Sequence, residues 1–172
     1  MKDIINFYLK KGQLARDKNA IVLSQEYLKK AKNNLITMKL LSEIQENKKA
    51  RDLLKIPSDY NSDEWVVITG YYAMYASALA LIAKIGYKSK NHTATIILLE
   101  EFFIKKKLMS KEDISLLKKA IIQKGEIEKL SEARHKREIA QYSVTKQTTK
   151  ELAESIKQDA QDFINKCEEI LA

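Results

Sequence analysis

The residues best suited to chemistry lie in the segment EARHKREIAQY, Glu132 to Tyr142. Arg134 and Arg137 continue the apolar stripe of a predicted helix, at positions where core residues are expected. Tyr142 follows Arg137 after four intervening residues, so both side chains could flank one cleft. Arg offers a planar, permanently charged donor set for phosphate, and Tyr can stack on a base. We therefore predict a nucleotide- or phosphate-binding site formed by Arg134, Arg137 and Tyr142.

A purely structural interpretation of the same segment stays open. Arg134 and Arg137 could extend their charged ends to the surface and pair with Glu132, Glu138 or a neighbouring helix. His135 lies next to these arginines in sequence and could act as a general base, although a surface histidine is the simpler interpretation.

The remaining reactive residue types give no further site. His92 stands alone at a predicted helix start, and Cys167 lies on an apolar stripe as a small core residue. With two His and one Cys no metal-binding spacing exists, so we predict no metal and no cofactor. A Gly-rich phosphate loop and a serine nucleophile motif are also absent from the sequence, which does not favour an enzyme.

The central element is an uncharged run from Trp65 to Ala83 in a chain that is 31% charged. Apolar and small residues surround the whole helical projection, which is typical of a helix buried on most sides. The length is close to that of a membrane span. However, Tyr71, Tyr72 and Tyr75 lie near its middle, and amphipathic helices flank it. We therefore predict a core helix and no membrane association.

Amphipathic helices are predicted on both sides of this central helix. Residues 20–46 form a long one, with Leu28, Ala31, Leu35, Met38 and Leu41 along its apolar face. Gly86 ends the central helix, and Ser89 or Asn91 caps the next helix. Ser110 with Asp113 opens a later helix through a capping box. Gly125 is expected to stop that helix, so residues 126–142 form a separate one. Thr148 with Glu151 is expected to cap the last helix. No strand pattern appears in the sequence, and the first residues give only a weak helix.

The composition predicts the fold class and the cellular compartment. A chain of 172 residues with four Gly and one Pro is typical of a single all-α domain. One Cys and no secretory signal predict a cytoplasmic protein. The net charge of +8 is compatible with an acidic partner, nucleic acid first. A soluble, Lys-rich surface without such a partner is the equally supported alternative.

Three stretches resemble the HEPN domain family, especially its archaeal members, over roughly residues 22–171. They are AKNNL at Ala31 to Leu35, YYAMYASALALIAKIGYKSKNH at Tyr71 to His92, and ARHKREIAQY at Ala133 to Tyr142. The resemblance implies an up-and-down helical bundle that forms a homodimer. It also implies a minimal nucleotidyltransferase as partner, in a toxin–antitoxin or two-component system. The expected division is an N-terminal extension, residues 1–19 with an extra helix, and a HEPN-like bundle, residues 20–172.

Many members of that family are metal-independent ribonucleases that use an Arg followed after four to six residues by His. Arg137 matches the Arg, but Tyr142 stands where the His belongs, and no His follows Arg137. Tyr titrates near 10 and is a poor base at neutral pH. The leading hypothesis is therefore a binding protein for nucleotide or RNA. The alternatives are a HEPN ribonuclease toxin that uses Arg137 and Tyr142, and a purely structural interaction module.

Overall fold

The computed structural model describes residues 2–135 and 142–172, and the side chains of residues 3–129 and 149–172. Seven helices and two short strands follow in chain order: α1 Lys2–Lys10, β1 Leu14–Arg16, α2 Leu23–Glu46, α3 Lys48–Leu53, α4 Asp63–Lys84, β2 Tyr87–Ser89, α5 His92–Leu99, α6 Lys111–His135 and α7 Tyr142–Leu171. A short 3₁₀ helix, Lys18–Val22, precedes α2, and a π-helical turn, Glu100–Ile104, continues α5. The all-α class and the extra N-terminal helix are confirmed.

Helix α4 is the centre of the bundle, as its uncharged sequence predicts. It packs against α2, α6 and α7, and its Val67, Ala73, Met74 and Leu81 are completely buried. By length and composition α4 could cross a membrane, but 78% of its most apolar 18-residue window is buried inside the protein. Burial by neighbouring helices therefore explains the apolar run.

Gly70 allows α4 to approach two neighbours closely. A Cβ built at this position would lie 3.0 Å from Met38 Sδ of α2 and 3.0 Å from Ile156 Cγ1 of α7. Both side chains are almost completely buried and have little room to move. The absence of a side chain at Gly70 thus sets the spacing of α2, α4 and α7.

The expectation that the chain holds no strand is wrong, because β1 and β2 form a small antiparallel sheet. Leu14 pairs with Ser89, and Arg16 pairs with Tyr87. Gly12 and Gly86 adopt φ values of +65° and +78°, which permit the turns before each strand. Strands of three residues are too short to show an alternating pattern, so the sequence gives no signal for them. The sheet joins the N-terminal segment to the end of α4.

Two predicted helix starts are confirmed by their hydrogen bonds. Asn91 accepts from the backbone N–H of Ala94 at 3.0 Å and begins α5. Ser110 and Asp113 form the reciprocal capping box that begins α6, with distances of 2.7 Å and 3.1 Å.

Two predicted boundaries near the candidate site are wrong. Gly125 does not stop a helix: α6 continues through it to His135, since Gly costs a helix interior only about 1 kcal/mol and the buried Ile127 continues the packed face. Residues 126–142 are therefore not a separate helix. Helix α7 begins at Tyr142, before the predicted Thr148 cap.

Candidate functional site at the α6–α7 end of the bundle

The three residues predicted to bind phosphate belong to the junction of α6 and α7. Arg134 lies in the last turn of α6, and Tyr142 is the first residue of α7. Arg137 lies outside the described residues, as do the side chains of Arg134, His135 and Tyr142. The structure therefore places the backbone of the two helix ends and leaves the predicted contacts as predictions.

The register of α6 against α7 shows where the junction lies. Lys119 Nζ is 2.6 Å from Asp159 Oδ2, and one turn later Gln123 Nε2 donates to Ser155 Oγ at 3.3 Å. From one contact to the next, the residue number on α6 rises by four and the residue number on α7 falls by four, so the two helices are antiparallel. Continuing this register brings the last turn of α6, with Arg134, level with the first turn of α7, which begins at Tyr142.

A cleft of about 720 Å³ opens near this end of the bundle, between the end of α2, the start of α4 and α7. Its polar lining includes Gln45 from α2, Asp63 from α4, and Lys150 and Lys157 from α7. Lys150 follows Tyr142 by eight residues, a distance of about 12 Å along the helix axis. The cleft is therefore within reach of an extended ligand bound at the α6–α7 junction.

The wall formed by α2 and α4 is fixed by hydrogen bonds. Gln45 Oε1 accepts from the backbone N–H of Ser62 at 3.1 Å and from its Oγ at 3.2 Å. Asn61 Oδ1 accepts from the backbone N–H of Asp63 at 2.8 Å, and Asn61 Nδ2 donates to Asp63 Oδ2 at 3.0 Å. Ser62 is completely buried and Asp63 is 7% exposed. These polar groups are thus held in place before any ligand arrives.

The two lysines of the cleft differ in their environment. Lys157 Nζ lies 2.8 Å from Glu154 and 3.2 Å from Glu46. Burial lowers the pKa of Lys157, but hydrogen bonds and charge interactions with Glu154 and Glu46 outweigh it and hold that pKa above its ordinary value. Lys150 is exposed, and the described residues give it no ion pair. Lys150 is therefore the cleft cation best placed to contact an incoming anion.

A second group of functional side chains lies between α4, α5 and α6. The Tyr71 hydroxyl is 3.2 Å from His92 Nε2, and the His92 ring packs edge-on against Tyr75 with centroids 4.5 Å apart. The Tyr75 hydroxyl is 3.3 Å from Thr95 Oγ1, and Lys124 Nζ stands 5.8 Å from the Tyr71 ring centroid. The hydroxyls of Tyr71 and Tyr75 therefore meet His92 and Thr95, respectively.

Protonation in this group follows from burial. Burial and the charge of Lys124 lower the pKa of His92, while burial and the neighbouring Tyr75, Tyr72 and Glu128 raise the pKa of Tyr71 far above its ordinary value. At neutral pH the phenol of Tyr71 therefore keeps its proton and the imidazole of His92 is neutral. Lys124 precedes Arg134 by ten residues, about 15 Å along α6. His92 consequently lies far from the junction and does not replace the missing motif histidine within one chain.

The cleft residues were missed by the sequence interpretation, although a signal exists. The buried stripe of α2, Leu28, Ala31, Leu35 and Met38, continues at the same spacing into Ser42 and Gln45. On α7 the residues Lys150, Glu154 and Lys157 share one face at helical spacing. A buried helix face that becomes polar near its end indicates a polar cleft. Which helix forms the opposite wall of that cleft is shown only by the tertiary structure.

Comparison with known proteins identifies the family that this chain matches. A family model described as HEPN domain matches residues 24–170. A UPF0332 protein from Archaeoglobus fulgidus is 34% identical over 98 residues, which cover 57% of this chain and 67% of that protein. No solved structure matches the chain.

Proposed function

The chain belongs to the HEPN domain family, and from this premise we propose that it is a dimeric nucleotide- or RNA-binding protein. Its partner is a minimal nucleotidyltransferase, in a cytoplasmic toxin–antitoxin or two-component system. The phosphate-binding residues are Arg134, Arg137 and Tyr142.

The observation that carries the proposal is the antiparallel register of α6 and α7. The pairs Lys119–Asp159 and Gln123–Ser155 bring Arg134 and Tyr142 to the same end of the bundle. Arg134, Arg137 and Tyr142 supply two guanidinium groups and an aromatic ring, which suit the phosphate and base of one nucleotide. Lys150, which is exposed on α7, adds one cation at the adjoining cleft.

Binding is favoured over cleavage because Tyr142 stands at the motif position where the family has His. A Tyr at the motif position keeps its proton, and Lys124, which lies beside the ring of Tyr71 that contacts His92, is about 15 Å from Arg134 along α6. A general base must come within hydrogen-bond reach of the proton that it removes. We therefore assign retention of RNA, rather than hydrolysis, to this end of the bundle.

Exposed apolar side chains support the dimer. Trp65 and Tyr72 lie seven residues apart on one face of α4 and are 55% and 44% exposed. An exposed aromatic face on an otherwise buried helix is typical of a protein interface. A second copy of this chain would cover it.

RNA binding by an Arg137→Ala variant tests the proposal. We expect fluorescence anisotropy with a labelled single-stranded RNA to show roughly tenfold weaker binding, the value of one charge-assisted contact. Arg137→Lys should recover part of the affinity, because the charge returns without the planar donor set. Lys111→Ala, at the exposed start of α6 and far from the junction, is the matched control.

Two results of the same experiment would overturn the proposal. Specific RNA cleavage without metal, abolished by Arg137→Ala, would establish the ribonuclease alternative. Unchanged affinity of Arg137→Ala for nucleotide and RNA would favour a purely structural interaction module.

The partner requires its own measurement. We expect a minimal nucleotidyltransferase encoded in the adjacent reading frame to co-purify with this chain and to elute with it as one complex in gel filtration. Separate elution at micromolar concentrations would contradict the partnership.

A further inference from the structure

We propose that the cleft between α2, α4 and α7 is a base-reading subsite selective for guanine, either in a free nucleotide or in an RNA strand. The inference rests on the proposed function and deepens it, since it adds to the phosphate site at the junction a second site that reads a base. Asp63 and Gln45 are the specificity-determining residues, and Lys150 contacts the phosphate.

Asp63 supplies the acceptors. Its side chain lines the cleft although the residue is only 7% exposed. Among the described residues its carboxylate accepts one hydrogen bond, from Asn61 Nδ2 to Oδ2. A carboxylate has about four acceptor positions. Most of its hydrogen-bonding capacity therefore remains available toward the cleft.

Gln45 supplies the donors. Its Oε1 is occupied by two hydrogen bonds from Ser62, which fix the orientation of the amide. Within the described part of the chain its Nε2 has no partner, and the residue lines the cleft. A fixed NH₂ group and a carboxylate that line the same cleft present donors and acceptors to one ligand.

This pattern matches the chemistry of guanine. The Watson–Crick edge of guanine carries two adjacent N–H donors, N1–H and the N2 amino group, beside the O6 acceptor. A carboxylate receives both donors, and an amide NH₂ can donate to O6. Adenine, cytosine and uracil each lack this pair of adjacent donors, so they would leave the buried Asp63 without full compensation.

Size supports a nucleotide over a smaller zwitterion. Lys157 is paired with Glu154 and Glu46, and Lys150 is the cleft cation without an ion pair in the described residues. A volume of about 720 Å³ lies in the roughly 300–1,000 Å³ range of sites for drug-sized ligands. An amino acid would fill a small part of it.

Calorimetric titration of the full chain with GMP, AMP, CMP and UMP tests the inference. We expect GMP to bind at least tenfold more tightly than the other three nucleotides. Asp63→Asn should reduce GMP affinity by about 10–100-fold and leave AMP affinity nearly unchanged, because hydrogen bonds to a charged group are worth about 1.5–3 kcal/mol. Lys150→Ala should weaken all four by a similar, smaller factor. The matched control is Asp59→Asn, an exposed carboxylate in the preceding loop.

Gln45→Glu is the second variant, should Asp63→Asn lower the melting temperature. Glu keeps the acceptor for Ser62 and replaces the donors that face the cleft, so GMP preference should again be lost. Competition of GMP with RNA oligomers that contain a single G or a single A distinguishes a free nucleotide from an RNA residue as the ligand.

Equal affinity for the four nucleotides, or an Asp63→Asn effect no larger than that of Asp59→Asn, would overturn the inference. If RNA binding still depends on Arg137 in that case, the proposed function stands and only the guanine subsite fails. If neither nucleotide nor RNA binds, the proposed function itself fails.

Discussion

Replacing each of two helical glycines by Ala should have opposite effects on stability. Gly125 lies inside α6 with nothing within 4 Å of a Cβ, so Gly125→Ala fills open space. The expected gain is about 0.5–1 kcal/mol, because Ala loses less conformational entropy than Gly on entering a helix. Gly70 is also helical, but its Cβ would lie 3.0 Å from both Met38 and Ile156.

The cost at Gly70 follows from this contact. Overpacking of a filled core costs about 1–3 kcal/mol, and the gain in helix propensity returns about 1 kcal/mol. We expect Gly70→Ala to be neutral or destabilising by up to about 2 kcal/mol. The two variants should therefore differ by about 1–3 kcal/mol, or roughly 2–12 °C in melting temperature for a chain of this length.

Urea unfolding followed by circular dichroism measures both free energies of unfolding under the same conditions. Unchanged denaturant slopes would show that the unfolded states are comparable. Equal stabilisation by Gly70→Ala and Gly125→Ala would refute the close contact of α4 with α2 and α7. Destabilisation by Gly125→Ala would refute the continuous α6 helix.

Three further predictions concern single side chains. The Cys167 thiol is completely buried, which raises its pKa to about 12. It should resist a thiol-modifying reagent at pH 8 in the native protein and react fully in urea. Rapid labelling of the native protein would contradict its burial. Burial and Lys124 lower the pKa of His92, so the folded state binds fewer protons than the unfolded state just below pH 6.5. Stability should therefore fall as the pH drops through this window, and a His92→Gln variant should show a flatter profile of melting temperature against pH. A steep profile in the variant would contradict this prediction. Ser110→Ala removes the acceptor for the backbone N–H of Asp113. It should lower the free energy of unfolding by about 1 kcal/mol, or the melting temperature by about 2–4 °C. A loss no greater than that caused by Ser58→Ala, at an exposed serine, would show that the cap is unimportant.

Local signals in the sequence were sufficient where one residue or one helix face determines the outcome. The uncharged run predicted a buried α4, and the stripe from Leu28 to Met38 predicted the buried face of α2. Asn91 and the Ser110–Asp113 pair marked two helix starts, because capping needs only adjacent residues. Gly125 misled because glycine weakens a helix without ending it when neighbouring residues pack.

The sequence by itself determined the all-α class and the family, and it supplied the candidate functional residues. The tertiary structure decided which of them meet: it brought His92 to Tyr71, and it assembled Gln45, Asp63, Lys150 and Lys157 around one cleft. These residues are distant in the chain and are brought together by the packing of α2, α4 and α7. Sequence periodicity defines the face of each helix, whereas only packing defines the neighbour that this face meets.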